Sequence, residues 1–335
     1  MSSEFTSGTF AQVGAWHGGG NIVTDEAQLS ADYFFNDANA LFPVEPLELW
    51  GGSPSAPQDM VPLKGKTKAI WRPDKKHVLG TVSPGYEVIP NSMLLDFAKR
   101  IESEATIDAV VVLREGAKVA FTAKLRDLEG TVIPNDTVKR YVVGYLGHDG
   151  SVGFGGMFSN TRVVCNNTLQ GALHRDGQAG SGQFSIAHNA FEIAQIDKVL
   201  EQIDFARQSF PETISLYQAM QQTAVDDLGF RNFINAAYQP KPVETASGGV
   251  RSGDVLLDMP SKADALMAAW QHGVGMDIPG VAGTAWAAFN AVTQVEGRIP
   301  PHAANNKRRF HSAYFGGGRT IIRRAEQAAR ALAGV

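Results

Sequence analysis

Residues 138–174, VKRYVVGYLGHDGSVGFGGMFSNTRVVCNNTLQGALH, decide how the chain folds. Val138, Tyr141, Val142, Val143 and Tyr145 form a short run of β-formers. Asp149-Gly150 follows, and Asp-Gly suits a type I′ hairpin turn, in which both central residues need φ > 0. The chain resumes through Val152 and Phe154, where Gly153, Gly155 and Gly156 predict a bulge, a bend or a close backbone approach. Arg162-Val163-Val164-Cys165 is β-like again. Asn166-Asn167 is then placed to cap a helix starting near Thr168-Leu169, because an Asn side chain accepts from orphan N–H groups of a first turn. The stretch reads as strand, turn, strand and helix start. It gathers a cation, a thiol and two amides where a strand becomes a helix, a place where free N–H groups collect.

Working outward, residues 1–62 read as an N-terminal extension and loop, with a short helix in 26–41. Residues 63–175 read as an antiparallel α+β core. Its first hairpin, LKGKTKAIWR and HVLGTVSPGYEVI, turns at Pro73–Lys76. Asn91-Ser92 caps a helix with Met93, Phe97 and Ile101 on one stripe. A second hairpin over 108–126 turns at Glu115-Gly116, and 127–137 reads as a polar connection. From 187 to 335 the pattern is mainly helical: 187–209, 211–224, 230–238, 261–272, 284–294 and a final helix, TIIRRAEQAARALAG, with a linker over 239–253. The fold class expected is α+β, a curved antiparallel sheet with packed helices followed by a mainly helical C-terminal region.

Several short motifs accompany the central stretch. They are Trp16-His17-Gly18, Tyr86 with Asn91, Asp149-Gly150-Ser151, Arg162 through Leu169, Gly283-Thr284, and Asn290-Ala291-Val292-Thr293. In this order and spacing, from residue 15 to about 325, the chain resembles DUF932, a family of phage- and plasmid-related bacterial proteins whose domain has no assigned function. The resemblance implies a mobile-element setting. A curved antiparallel sheet with helices on one face also resembles the single-strand annealing proteins of the Rad52-like class, an analogy at the level of fold.

Length and composition bound the rest. The 335 residues suit one large domain or two ordinary ones, and a 44% hydrophobic fraction is enough for a sizeable core. The net charge of −4 excludes a protein that is basic throughout, though not a local basic face. Cys165 is the single cysteine, so no internal disulfide and no Cys-based zinc site can form. That count, and a start lacking a basic n-region and an apolar h-region, predict a cytoplasmic protein of the bacterial host cell with no membrane association. The eight histidines are scattered without metal-ligand spacing, and the Gly18–Gly20 and Gly316–Gly318 runs lack the lysine of a phosphate loop. No metal and no cofactor is therefore expected.

The chemistry that stands out is cationic with aromatics interleaved. Lys64, Lys66 and Lys68 alternate along one strand and share a face. Trp71 follows them. Lys118, Phe121 and Lys124 lie on the second hairpin, and Lys139, Arg140, Tyr141 and Arg162 on the third. Lysines and arginines contacting phosphate, with Trp71, Phe121 and Tyr141 stacking on bases and Asn166 and Asn167 bonding phosphate or bases, describe a sequence-neutral single-strand binder. The expected function is single-stranded DNA binding or annealing in recombination or replication, by a homo-oligomer, a ring if the annealing analogy holds. The Gly-rich strand 151–156 reads as an exposed edge or a bend, and an edge there would invite pairing between subunits. The alternative is a protein-interaction module of a mobile element, serving anti-defence or plasmid maintenance. A third reading is a Cys-dependent hydrolase using Cys165, with a base among His148, His174 and His188 and an orienting Asn166 or Asn167.

Overall fold

The main sheet of the computed structural model, which describes residues 5–11, 21–23, 30–53, 55–63, 67–162, 167–169, 183–186, 194–245, 248–297 and 316–335, is buried on both faces over much of its length. Its strands are β1 (Phe5–Phe10), β2 (Asn21–Ile22), β8 (Ala105–Leu113), β9 (Lys118–Ile133), β10 (Asp136–Gly147), β11 (Phe154–Arg162), β12 (Asn167–Leu169) and β13 (Gln183–Ile186). Their order is β12-β11-β10-β9-β8-β1-β2, with β13 also pairing β11. All neighbours are antiparallel except β1 and β2. On β8, Val110 and Val112 face one core while Ala109, Val111 and Leu113 face the other. A strand buried on both faces reads as a continuous apolar run, as AVVVL does here.

Small sheets flank this one: β3 (Glu45–Leu47), β6 (Lys68–Arg72) and β7 (His77–Val82) in the order β3-β6-β7, then the pair β4 (Trp50–Gly51) and β5 (Val61–Pro62). A further pair, β14 (Val243–Glu244) and β15 (Val250–Arg251), lies in the stretch expected as a linker. Helices α1 (Ala31–Asp37) and α2 (Asn91–Arg100) cover one face of the main sheet. Phe97 of α2 meets Phe121 edge-on at 5.1 Å and Phe154 at 6.0 Å.

The C-terminal region is helical: α3 (Ala194–Gln222), α4 (Asp227–Tyr238), α5 (Val255–Asp258), α6 (Pro260–His272), α7 (Ala285–Gly297) and α8 (Gly317–Ala333). Its core surrounds Trp286, with Tyr217 at 4.8 Å, and includes a stacked Phe230–Trp270 pair at 4.5 Å. Val132 and Val138, at the far end of the β9–β10 hairpin, are buried in this second core. Helix α3 serves both cores, giving Ile203 and Ala206 to the first and Phe210, Ile214 and Tyr217 to the second.

The chain is α+β as expected, and several local readings change. Residues 5–10 of the expected N-terminal extension are a strand of the main sheet. The polar stretch 127–137 extends the β9–β10 hairpin, since its Thr131, Gly130 and Glu129 pair with β10. Gly150 has φ 77° but Asp149 is not left-handed, so the turn is a six-residue loop, 148–153, rather than a two-residue type I′ turn. Gly155 and Gly156 pair in regular register with Tyr145 and Gly144, without a bulge. Strand β11 is not a free edge either, because β13 and β12 cover its two ends. Thr168-Leu169 belongs to strand β12, not to a helix start, because Asn160 and Thr161 offer it ladder bonds. The N-cap of α2 is Pro90, and Asn91 is buried with its side chain turned elsewhere. Pro211 lies inside α3 instead of dividing two helices.

Candidate nucleic-acid interface

The structure scatters the expected contact residues and buries several of them. Lys64, Lys66 and Asn166 lie outside the described residues, as do Cys165, His174, His188 and Trp16-His17-Gly18. Asn167 is on β12 opposite Arg162. Lys68, Trp71, Lys124, Lys139 and Tyr141 are half-buried. Lys139 pairs with Glu129 at 3.6 Å, so its charge is partly answered within the hairpin. Phe121, Lys118, Arg140 and Arg162 are all at most 1% exposed and cannot meet a nucleic acid at the surface.

Phe121 is a core ring, because Gly144 leaves the space it fills: a Cβ at Gly144 would come within 2.1 Å of Phe121 Cε1. Lys118 donates to Asp149 at 2.7 Å, beneath the turn. Burial pushes the Asp149 carboxyl up, but the bonds from Lys118 and from the Ser151 hydroxyl and N–H outweigh it and hold the pKa below the usual range. Nearby, His148 Nε2 donates to Asn91 Oδ1 at 2.9 Å, Asn91 Nδ2 donates to the Phe42 carbonyl at 3.1 Å, and the Tyr86 hydroxyl donates to the Gly147 carbonyl at 2.9 Å. The motif residues Tyr86, Asn91, Asp149 and Ser151 are thus fasteners that join the turn to the segments packed around it. His148 serves the same end, with its Nε2 committed to an amide.

Arg162 is fastened more firmly. Its Nε and Nη2 form a fork onto Asp136 Oδ1 and Oδ2 at 2.6 and 2.5 Å. Nη1 donates to the Val274 carbonyl at 3.2 Å and Nη2 to that of Gly275 at 3.3 Å. Trp286 Nε1 donates to Asp136 Oδ2 at 2.9 Å. Gly275 has φ 79°, and a Cβ there would lie 2.8 Å from Arg162 Nη2, so this backbone can approach only as glycine. Both charges are fully buried and both are answered, the condition under which a buried ion pair is tolerated. Arg162 therefore clamps the end of β11 to the helical region. Asp136 and Trp286 are the partners that the sequence pattern did not single out. The only signal for Asp136 was an acid at the start of the strand hairpinned to the arginine's own.

Arg140 differs. It is 1% exposed, yet its Nε and Nη1 have no hydrogen-bond partner. The rings of Phe158 and Phe210 flank the guanidinium at 5.4 and 5.8 Å. Burial pushes its pKa down to about 10, so it stays charged at neutral pH.

The surface cations that survive are elsewhere. Lys75 and Lys76 are exposed at the β6–β7 turn, where the one acid, Asp74, is already forked by Arg72 at 2.9 and 3.0 Å. On α8, Arg323 is exposed and Arg324 and Arg330 are half-buried, and none of the three has a carboxylate partner among the described residues. Spacings of four and seven residues put Arg319, Arg323 and Arg330 on one side of α8, while Ile322, Ala325, Glu326 and Ala329 face inward. Among the described residues no group of three or more His, Cys, Asp or Glu side chains could hold a metal ion, and no helix is long and apolar enough to cross a membrane.

Residues 78–327 match the family model DUF932, described as a domain of unknown function, and the chain belongs to that family. No curated protein and no solved structure matches the chain.

Proposed function

We propose, from the surface just described, that the protein binds single-stranded DNA as an annealing-type protein of recombination or replication. The contact face we assign is α8 with the basic segment before it, in place of the β-hairpins. One observation carries this reading, the charge asymmetry of the C-terminus. Residues 307–330 hold seven cations (Lys307, Arg308, Arg309, Arg319, Arg323, Arg324, Arg330) and one acid, Glu326, which is buried. That is +6 in a chain of net −4, so the remainder carries −10. A local excess of this size is the electrostatic footprint of a polyanion site. Phe310, Tyr314 and Phe315 lie in the same segment and supply ring faces for base stacking. Lys75 and Lys76, exposed at the β6–β7 turn, are a second, smaller set of cations. The annealing reading carries with it a homo-oligomer.

A fluorescent oligonucleotide of about 40 nucleotides, titrated at several salt concentrations, tests this. The log–log slope is expected to be about −0.7 per phosphate neutralised. The triple variant R323A/R324A/R330A should flatten that slope by about two units and leave base preference unchanged. No binding at low salt and micromolar protein overturns the reading.

A protein-interaction module is the second reading, favoured by one feature. Leu47, Trp50, Val61, Leu63 and Val78, all in or beside the small sheets, are 38–60% exposed. A protein captured from nuclease-treated lysate by the wild type, and lost on Trp50→Ser with Val61→Ser, would move the function there.

A further inference from the structure

Arg140 lies at the seam between the two cores. Along one face of β10 and β11, Val142 and Phe158 belong to the first core, and Val138 belongs to the second. Between them stand Arg140 and, directly across the ladder, Asn160. Helix α3 crosses the same seam, bringing Phe210 and Tyr217. Asn160 is 1% exposed; its Nδ2 donates to the Tyr217 hydroxyl at 3.1 Å and its Oδ1 has no partner. Turning the amide over would only exchange which of its two atoms is left unbonded. Tyr217 is fully buried, and desolvation raises its pKa so that its proton stays on and can be donated.

The charges around this hydroxyl do not cancel. Glu326 of α8 acts on both Arg140 and Tyr217, and Arg140 and Arg330 act on Tyr217 in the opposite sense. Among the described residues, two guanidinium groups against one carboxylate leave one positive charge in excess. Glu326 reaches Arg140 through space without hydrogen-bonding its Nε or Nη1. A buried cation with bare N–H groups is disfavoured unless something answers it, and two aromatic faces answer it only weakly. The N–H groups of Arg140 and the O–H of Tyr217 are donors, and Asn160 Oδ1 is an acceptor. Seams between packed units are also where ligand sites concentrate.

We infer that Arg140, Asn160 and Tyr217 form an internal seat for a small oxyanion of single negative charge that carries one protonated oxygen, the chemistry of dihydrogen phosphate. Arg140 and Tyr217 donate to its oxygens, and its hydroxyl donates to Asn160. The charge of the anion cancels the local excess. The seat is separate from Arg323 and Arg324 of α8, although Glu326 and Arg330 of that helix act on its Tyr217. It stands whether or not the protein binds DNA.

The test uses the full chain, freed of phosphate by dialysis and titrated with inorganic phosphate at constant ionic strength set by chloride. Thermal unfolding and phosphorus NMR of the phosphate are the readouts. A saturable rise in melting temperature, with broadening of the phosphate resonance, is expected for the wild type. Arg140→Met keeps the volume between the two rings and removes the charge. It should weaken phosphate binding about tenfold or more, one charge-assisted bond being lost, while melting no lower than the wild type in phosphate-free buffer. Asn160→Asp places a carboxylate opposite Arg140. It should abolish the phosphate response and raise the melting temperature, which keeps the inference testable if the methionine variant does not fold. R323A/R324A, which leaves Arg330 in place, should retain the response. Three results overturn the inference: no phosphate response in the wild type, an equal response in Asn160→Asp, or loss of the response only with R323A/R324A. Because the last two report generic charge binding at the surface, failure here is distinguishable from failure of the DNA titration.

Discussion

Arg140 and Arg162 sit on neighbouring strands of one sheet, each at most 1% exposed, and they are held in opposite ways. Arg162 has a carboxylate fork, two backbone carbonyls and an indole above it. Arg140 has two phenyl rings and a carboxylate beyond hydrogen-bond reach. A short sequence interval separates them, and sequence reasoning treated them alike, as phosphate contacts. The difference lies in what the rest of the chain brings to each. Asp136 opens the hairpin strand beside Arg162, and the loop at Val274 and Gly275 arrives more than a hundred residues later. Among the described residues nothing equivalent arrives at Arg140. A buried guanidinium that the fold answers is a fastener. One that the fold leaves unanswered is the place to look for a ligand.

The largest effect should come from breaking the answered one. Asp136→Asn keeps the shape of the side chain but leaves the Arg162 guanidinium buried beside a neutral amide. The cost should be about 3–5 kcal/mol, the usual result of removing one partner of a buried pair. A lower denaturant midpoint with an unchanged slope is the expected record. Arg140→Met in the same assay should cost nothing. If the two substitutions are equally destabilising, the contrast between the two arginines is wrong and Arg140 is answered from within the fold. Replacing both Arg162 and Asp136 with apolar residues should recover only part of the loss, because Trp286 Nε1 and the Val274 and Gly275 carbonyls then lose their partners.

A smaller effect separates tight packing from charge. Gly144 lies on β10 four residues from Arg140, pressed against Phe121. Gly144→Ala should cost about 1–3 kcal/mol by overpacking. Phe121→Leu in the same background should recover part of it. Recovery would show that the first core is closely filled right up to the seam, so that any tolerance found at Arg140 belongs to the seam alone.

The packing of Phe121 also shows what was legible in the sequence. A run of β-formers placed the strands of the third hairpin, and an apolar stripe gave the helix α2, because these signals are local. Composition and helical periodicity likewise gave the C-terminal half. Burial of Lys118, Phe121, Arg140 and Arg162 was not legible, because cations spaced along a strand look the same whether the sheet is covered on one face or on two. The AVVVL run at 109–113 was the sign that both faces are covered. Asn167 in β12 was missed because an Asn cap and an Asn in a strand have the same local pattern until a partner strand is known. The seat residues Asn160, Tyr217 and Glu326 come from three elements, and no spacing connects them.

The smallest effect concerns a third buried charge, intermediate between the two arginines. Asp108 stands at the bulge between Ile107 and Ala109 on β8, half-buried, with its carboxyl near Thr122 and Lys124. Burial raises its pKa to about 6, and the pull of Lys124 and the bond from Thr122 offset this only in part. The folded pKa is above the unfolded value, so between about pH 4 and pH 6 the folded chain binds a proton that the unfolded chain has released. Stability from this group is therefore present at low pH and is lost as pH rises through the folded pKa. Asp108→Asn removes the titration, and its stability should be level across that window where the wild type declines. The difference at neutral pH should be about 1 kcal/mol or less, since the side chain is partly in water and screened. Denaturant midpoints at about pH 4.5 and pH 7 for both proteins measure it. A parallel decline in the two would place the pH dependence elsewhere. A loss larger than that of Asp136→Asn would make Asp108, not Arg162, the most tightly constrained charge in the sheet.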